Sequence, residues 1–140
     1  MHRYVEEASS HSLDWSSASS TSEYVRLVIL RDGQPVSTVA MGEELEMRWI
    51  LVQDKISNVG LFLNRCIAER MDGSAPLPPP LTLIANGCVS NKVSRLLMHY
   101  PILPFDGGLT TKIKVFRFDG SRRVRILCSV DICFERCAPI

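Results

Sequence analysis

No stretch of this sequence reaches the roughly 18 consecutive apolar residues that a membrane-spanning helix needs. The first residues, Met1-His2-Arg3-Tyr4-Val5-Glu6-Glu7, lack the apolar run of a secretion signal. Charge of one sign is missing too: a net charge of +1 gives no long-range attraction for nucleic acid or an anionic membrane. No Asn-x-Ser/Thr sequon occurs, so N-linked glycan is not expected. Histidine is scarce. Of the three, His2 and His11 fall in a serine-rich stretch and His99 stands just before a proline turn, which leaves no nucleophile with a base beside it. Cys128, Cys133 and Cys137 are spaced by five and four residues, unlike the short paired knuckles of structural zinc sites. The expectation is therefore a chain that is not an enzyme, with no catalytic residues, metal or cofactor.

What is present is cysteine, five residues in all: Cys66, Cys88, Cys128, Cys133 and Cys137. Clustering of this kind suits an oxidised, secreted framework better than buried cytosolic thiols. A secreted domain with an odd cysteine and no signal reads as a fragment of a longer protein, continuing past Ile140. Residues 6–22 are serine-rich and poor in large apolar groups, too poor to offset the entropy of ordering them. Residues 1–23 are accordingly expected to form a flexible linker or tail, with Trp15 exposed, and the folded domain to span 24–140.

From Tyr24 onward the apolar pattern has period two, the mark of strands with one face on a core. Residues 24–30 form a first strand, and Asp32-Gly33 supplies the positive-φ residues of a tight turn. In 43–52, Leu45, Met47, Trp49 and Leu51 alternate with Glu44, Glu46, Arg48 and Ile50. Further strands are predicted at 59–68, carrying Cys66, and at 81–84, ending in Ala85-Asn86-Gly87 before Cys88. Prolines between 76 and 80 exclude both helix and central strand there. Residues 89–110 are left open between a helical turn and a strand. Residues 111–118 and 123–134, joined by Asp119-Gly120, read as a hairpin in which Cys128 points inward. About seven strands with regularly spaced turns predict an all-β antiparallel sandwich, in which Cys128 bridges the sheets to Cys66. Closing that loop of about 60 residues contributes roughly 4 kcal/mol in the chain-entropy model.

Two basic features have ordinary structural readings. Arg122-Arg123-Val124-Arg125 fits a minimal proprotein-convertase pattern, but Val124 and Ile126 suit a buried strand face. Lys112, Lys114, Arg117, Arg122, Arg123 and Arg125 would form a basic stripe along the predicted hairpin of the kind that attracts glycosaminoglycan, although solvated strand faces commonly show the same pattern.

The segments Val25–Leu30, Asn64–Ala68, Leu83–Cys88, Val115–Phe118 and Cys128–Cys133 resemble, in order and spacing, the C-terminal subdomain of zona pellucida (ZP) modules. The similarity covers about residues 24–137. The phrase Arg31–Val36 followed by Val39–Leu45 looks most like invertebrate, cuticlin-like members. The resemblance implies an immunoglobulin-like sandwich stabilised by disulfides, secreted or held at the cell surface before cleavage. It implies partners as well: other ZP modules, in homo- or heteropolymers, and the chain's own preceding ZP subdomain, with the membrane reached only through a C-terminal anchor. The implied function is a structural matrix or cuticle protein whose module polymerises into filaments at the apical surface; the alternative is a membrane-anchored co-receptor ectodomain that uses this half to bind ligand. Val25, Leu27, Val28, Ile29 and Leu30 correspond to the family's internal assembly patch. The family's disulfides imply Cys66 with Cys128, and Cys88 with one of the last two cysteines. Either Cys88 pairs with Cys133, leaving Cys137 for a missing partner, or Cys133 bonds locally and Cys88 reaches downstream.

Overall fold

A computed structural model describes residues 12–21, 23–52 and 59–134. Among these residues there are eleven strands and one short helix: β1 (Ser12–Ser19), β2 (Val25–Arg31), β3 (Gln34–Pro35), β4 (Thr38–Ala40), β5 (Glu44–Leu51), β6 (Val59–Arg70), β7 (Leu81–Ala85), β8 (Cys88–Val89), α1 (Asn91–Leu96), β9 (Leu103–Phe105), β10 (Gly108–Lys114) and β11 (Arg123–Phe134). They form two sheets, one of six strands in the order β4-β1-β11-β6-β7-β8 and one of five in the order β3-β2-β5-β10-β9. The fold is an immunoglobulin-like sandwich, antiparallel except where β1 runs parallel to β11.

Local chemistry explains most of these elements. On β5, Leu45, Met47 and Trp49 are buried while Glu44 and Ile50 are exposed, so the alternation read from the sequence is the alternation of the pleat. Three hairpins turn through two residues of positive φ: Asp32-Gly33 (50° and 81°), Asn86-Gly87 (51° and 80°) and Asp106-Gly107 (47° and 83°). Such pairs match the right-handed twist of the strands they join. The segment left open, 89–110, contains helix α1 and the edge strand β9. No side chain caps the helix at Ser90; it is held by tertiary burial, with Val93 and Met98 in the core.

Three expectations are corrected. The first concerns the serine-rich tract, of which residues 12–19 are strand β1, paired with β11 on one side and β4 on the other. Leu13 and Trp15 are 1% and 2% exposed, and the Trp15 ring meets Phe116 edge-on at 5.4 Å. Two large side chains at alternate positions, added to two existing strand partners, bury enough surface to order a tract that composition alone consigns to a tail.

The second correction concerns the predicted hairpin. Residues 108–114 pair with β5 and β9, whereas 123–134 pair with β6 and β1 in the other sheet. The chain leaves strand conformation at Val115, and Phe116 and Phe118 pack edge-on to each other at 5.7 Å as it crosses between sheets. Asp119-Gly120 does reverse the chain, but a turn does not say which sheet receives the returning strand. The basic stripe is divided with it: Lys112 and Lys114 lie in one sheet, Arg123 and Arg125 in the other.

The third concerns the bridge. Cys66 and Cys128 are bonded with Cα atoms 4.1 Å apart, but they are register partners on the adjacent strands β6 and β11. The disulfide thus crosses one pair of strands within the six-stranded sheet and does not tie the sheets together. Both cysteines face the core, 0% and 3% exposed.

Candidate functional site

Strand β2 carries the apolar run singled out in the sequence. Val25, Leu27 and Ile29 point into the core at 0%, 4% and 3% exposure; Leu30 is buried at 4%, Val28 is half-buried, and Arg26 is exposed. One edge of β2 is laddered to β5 from Val25 to Leu30. The hydrogen bond from the Val52 N–H to the Tyr24 carbonyl sets the parity of that ladder, so the backbone groups of Val25, Leu27 and Ile29 face the opposite edge.

That outer edge is closed, though not by a neighbouring strand along its length. The Ser19 Oγ donates to the Val25 carbonyl at 2.9 Å and the Ser17 Oγ to the Leu27 carbonyl at 2.9 Å. The Val36 N–H donates to the Ile29 carbonyl at 3.0 Å, and the Val25 N–H to the Thr21 carbonyl at 2.8 Å. The two serines belong to β1, in the facing sheet. Leu13, Trp15, Ser17 and Ser19 share one parity: the first two fill the core, and the next two, short and polar, reach across the border of the sandwich to the edge of β2. Sequence reasoning missed these residues because serine carries no hydrophobic signal, although the shared parity with Leu13 and Trp15 was available.

Other sheet edges are blunted by different means. Pro35 and Pro104 occupy β3 and β9, the two edges of the five-stranded sheet, at positions two residues from their turns where the backbone faces away from the partner strand; a proline there offers no N–H to an added strand. On β4, the Arg31 Nη2 donates to the Thr38 carbonyl at 3.3 Å and the Ala40 N–H donates to the Glu43 Oε1 at 2.8 Å. Arg31 and Glu43 are themselves paired, Nε to Oε2 at 2.9 Å and Nη2 to Oε1 at 2.6 Å. The guanidinium holds the Glu43 carboxyl below its ordinary value, outweighing the opposing effect of burial.

Cys88 is a free, exposed thiol on β8, and Cys133 is itself disulfide-bonded, which overturns the pairing of Cys88 with Cys133. Cys137 lies outside the described residues, as do His2 and His11. The exposed His99 ring is hydrogen-bonded through Nε2 to the Arg95 carbonyl at 2.8 Å. Among the described residues no three His, Cys, Asp or Glu side chains gather as metal ligands. The convertase-like Arg122–Arg125 pattern runs into β11, where Val124 is 1% exposed and is paired to Trp15 on one side and Arg70 on the other.

Fold and surface together define a disulfide-bonded, immunoglobulin-like β-sandwich module whose edges are managed against indiscriminate pairing. The chain matches the family model of the zona pellucida ZP-C domain over residues 9–139, and it belongs to that family. The match begins ahead of β1, so the serine-rich strand lies within the matched region. No curated protein matches the chain. ZP domains are structural modules of extracellular or cell-surface proteins, and they generally polymerise with other ZP modules.

Proposed function

We propose that this domain is the C-terminal half of a ZP module that polymerises into filaments of an apical matrix or cuticle, with Val25, Leu27, Val28, Ile29 and Leu30 as its assembly strand and no enzymatic role. The full polypeptide would join it to a preceding ZP subdomain and hold it at the membrane through a downstream anchor until cleavage. The observation that carries this reading is the outer edge of β2. An apolar strand is closed there by two serine hydroxyls, contacts worth about 0.5–1.5 kcal/mol each, where a full ladder would be far harder to open. Pairing of β2 with a strand of another module therefore requires that β1, which carries both hydroxyls, move, and that the Val36 N–H and the Thr21 carbonyl release Ile29 and Val25.

The test is to lock β1 in place. Ser16 and Arg125 are register partners on β1 and β11, with Ser16 exposed and Arg125 half-buried. In the native polypeptide, Ser16→Cys with Arg125→Cys should give an oxidised, folded, secreted protein that forms no filaments, while each single variant assembles. Normal filaments from the locked protein would remove β2 as the assembly strand.

A further inference from the structure

The outward face of the five-stranded sheet carries an open groove of about 500 Å³ that plays no part in the edge of β2. Its floor is made by Glu46 and Arg48 of β5 with Thr110 and Lys112 of β10, whose strands are in register there. Tyr100 and Phe105 form its wall, 47% and 44% exposed. The floor is an ordered polar network. Arg48 donates through Nε and Nη2 to the two Glu46 carboxylate oxygens at 2.9 and 3.0 Å, and Thr110 Oγ1 donates to the same carboxylate at 2.6 Å. The rings are held by cations, with the Arg48 guanidinium 4.2 Å from the centre of Phe105 and the Lys112 ammonium 4.9 Å from that of Tyr100. Arg48 is committed to Glu46. Lys112 is exposed and makes no ion pair within 4.0 Å among the described residues.

We infer that this groove binds an acidic saccharide. Half-exposed aromatic rings offer flat apolar surface to the C–H face of a pyranose, and the fixed Glu46, Arg48 and Thr110 groups offer planar donors and acceptors to its hydroxyls without the entropy of ordering them first. Lys112, seated over Tyr100 and without an ion pair within 4.0 Å among the described residues, supplies with Lys114 on the same face of β10 the charge that a carboxylate or sulfate complements, beside their register partners Glu46 and Glu44. An extended peptide is disfavoured. It would gain main-chain hydrogen bonds only at a sheet edge, and β9, the edge strand beside the groove, carries Pro104.

The test is a titration of the isotope-labelled 140-residue chain with three probes, read from amide chemical shifts: a heparin hexasaccharide bearing sulfates, a hyaluronan hexasaccharide bearing carboxylates alone, and an Asp/Glu peptide of matched charge. Shifts confined to residues 46–48 and 100–112 with either saccharide are expected, and the saccharide that binds assigns the anion. Tyr100→Ala and Lys112→Ala, both at exposed side chains, should each weaken binding by about tenfold, while Arg122→Ala/Arg123→Ala should leave it unchanged. The proposal fails if neither saccharide shifts these residues, if the peptide binds as tightly as the saccharides, or if the Arg122/Arg123 variant loses as much affinity as the groove variants.

Discussion

The Ser17 hydroxyl donates a 2.9 Å hydrogen bond to the Leu27 carbonyl although the two residues belong to different sheets. Ser19 repeats the contact two residues on, at Val25. A serine-rich strand thus serves as the stopper of an apolar one. Replacing both with alanine should destabilise the domain by about 0.5–1.5 kcal/mol per site, measured by urea denaturation. The variant should also self-associate more readily in sedimentation, because two edge carbonyls are then left open. A variant as stable and as monomeric as the parent would show these hydroxyls to be incidental.

Trp15 is the anchor of β1, 2% exposed and bonded through Nε1 to the Phe116 carbonyl at 3.3 Å. Trp15→Ala should cost about 3–5 kcal/mol and expose the amides of residues 12–19 to hydrogen exchange. An unchanged unfolding midpoint would return this tract to the status of a tail.

Acid should loosen the β4 edge. The hydrogen bond from Arg31 lowers the Glu43 carboxyl from its ordinary 4.5, helped by the Ala40 N–H and opposed by burial. Since the folded value lies below the unfolded one, the stabilisation is fully present above pH 4.5 and is lost as pH falls through the depressed folded value. Glu43→Gln should therefore melt lower than the parent at neutral pH, and the gap should close in melts taken below pH 4.5. A gap that persists undiminished in acid would mean that Glu43 acts by packing.

Gly108 opens β10 against β5 at close quarters. A Cβ built there would stand 2.0 Å from the Trp49 carbonyl oxygen, a backbone atom that a flexible side chain's adjustment does not relieve. Gly108→Ala should cost about 1–3 kcal/mol and lower amide protection on both strands. A neutral substitution would show that the two strands separate more easily than their register suggests.

The parts of the fold legible in the sequence were those written locally. The alternation of Leu45, Met47 and Trp49 with charged residues, and the Asp32-Gly33 and Asn86-Gly87 turns, are properties of a few adjacent residues and their backbone angles. The partners of a strand are not. Asp119-Gly120 announced a reversal without naming the destination, so β10 and β11 were read as neighbours when β11 lies beside β6. The same gap placed the Cys66–Cys128 bond between sheets instead of within one. At the candidate site, the run Val25–Leu30 stood out because both its faces are apolar, whereas its closure was invisible: it depends on Ser17 and Ser19, whose contribution exists only once Leu13 and Trp15 have seated β1 in the facing sheet.

The Cys66–Cys128 bond fixes the path that tension would take through this domain. The two cysteines are separated by 62 positions in the chain, and β7, β8, α1, β9 and β10 all lie between them. Tension applied to the two ends of the polypeptide passes from β6 straight into β11 through the sulfur bridge, and the intervening segment carries none of it. Fully extended, that segment would be on the order of 200 Å long, and this slack is withheld from the pulled chain. A strand of linked modules would therefore yield by shedding its N-terminal elements, β1 to β5, while the half of each domain inside the covalent loop stays out of the line of force.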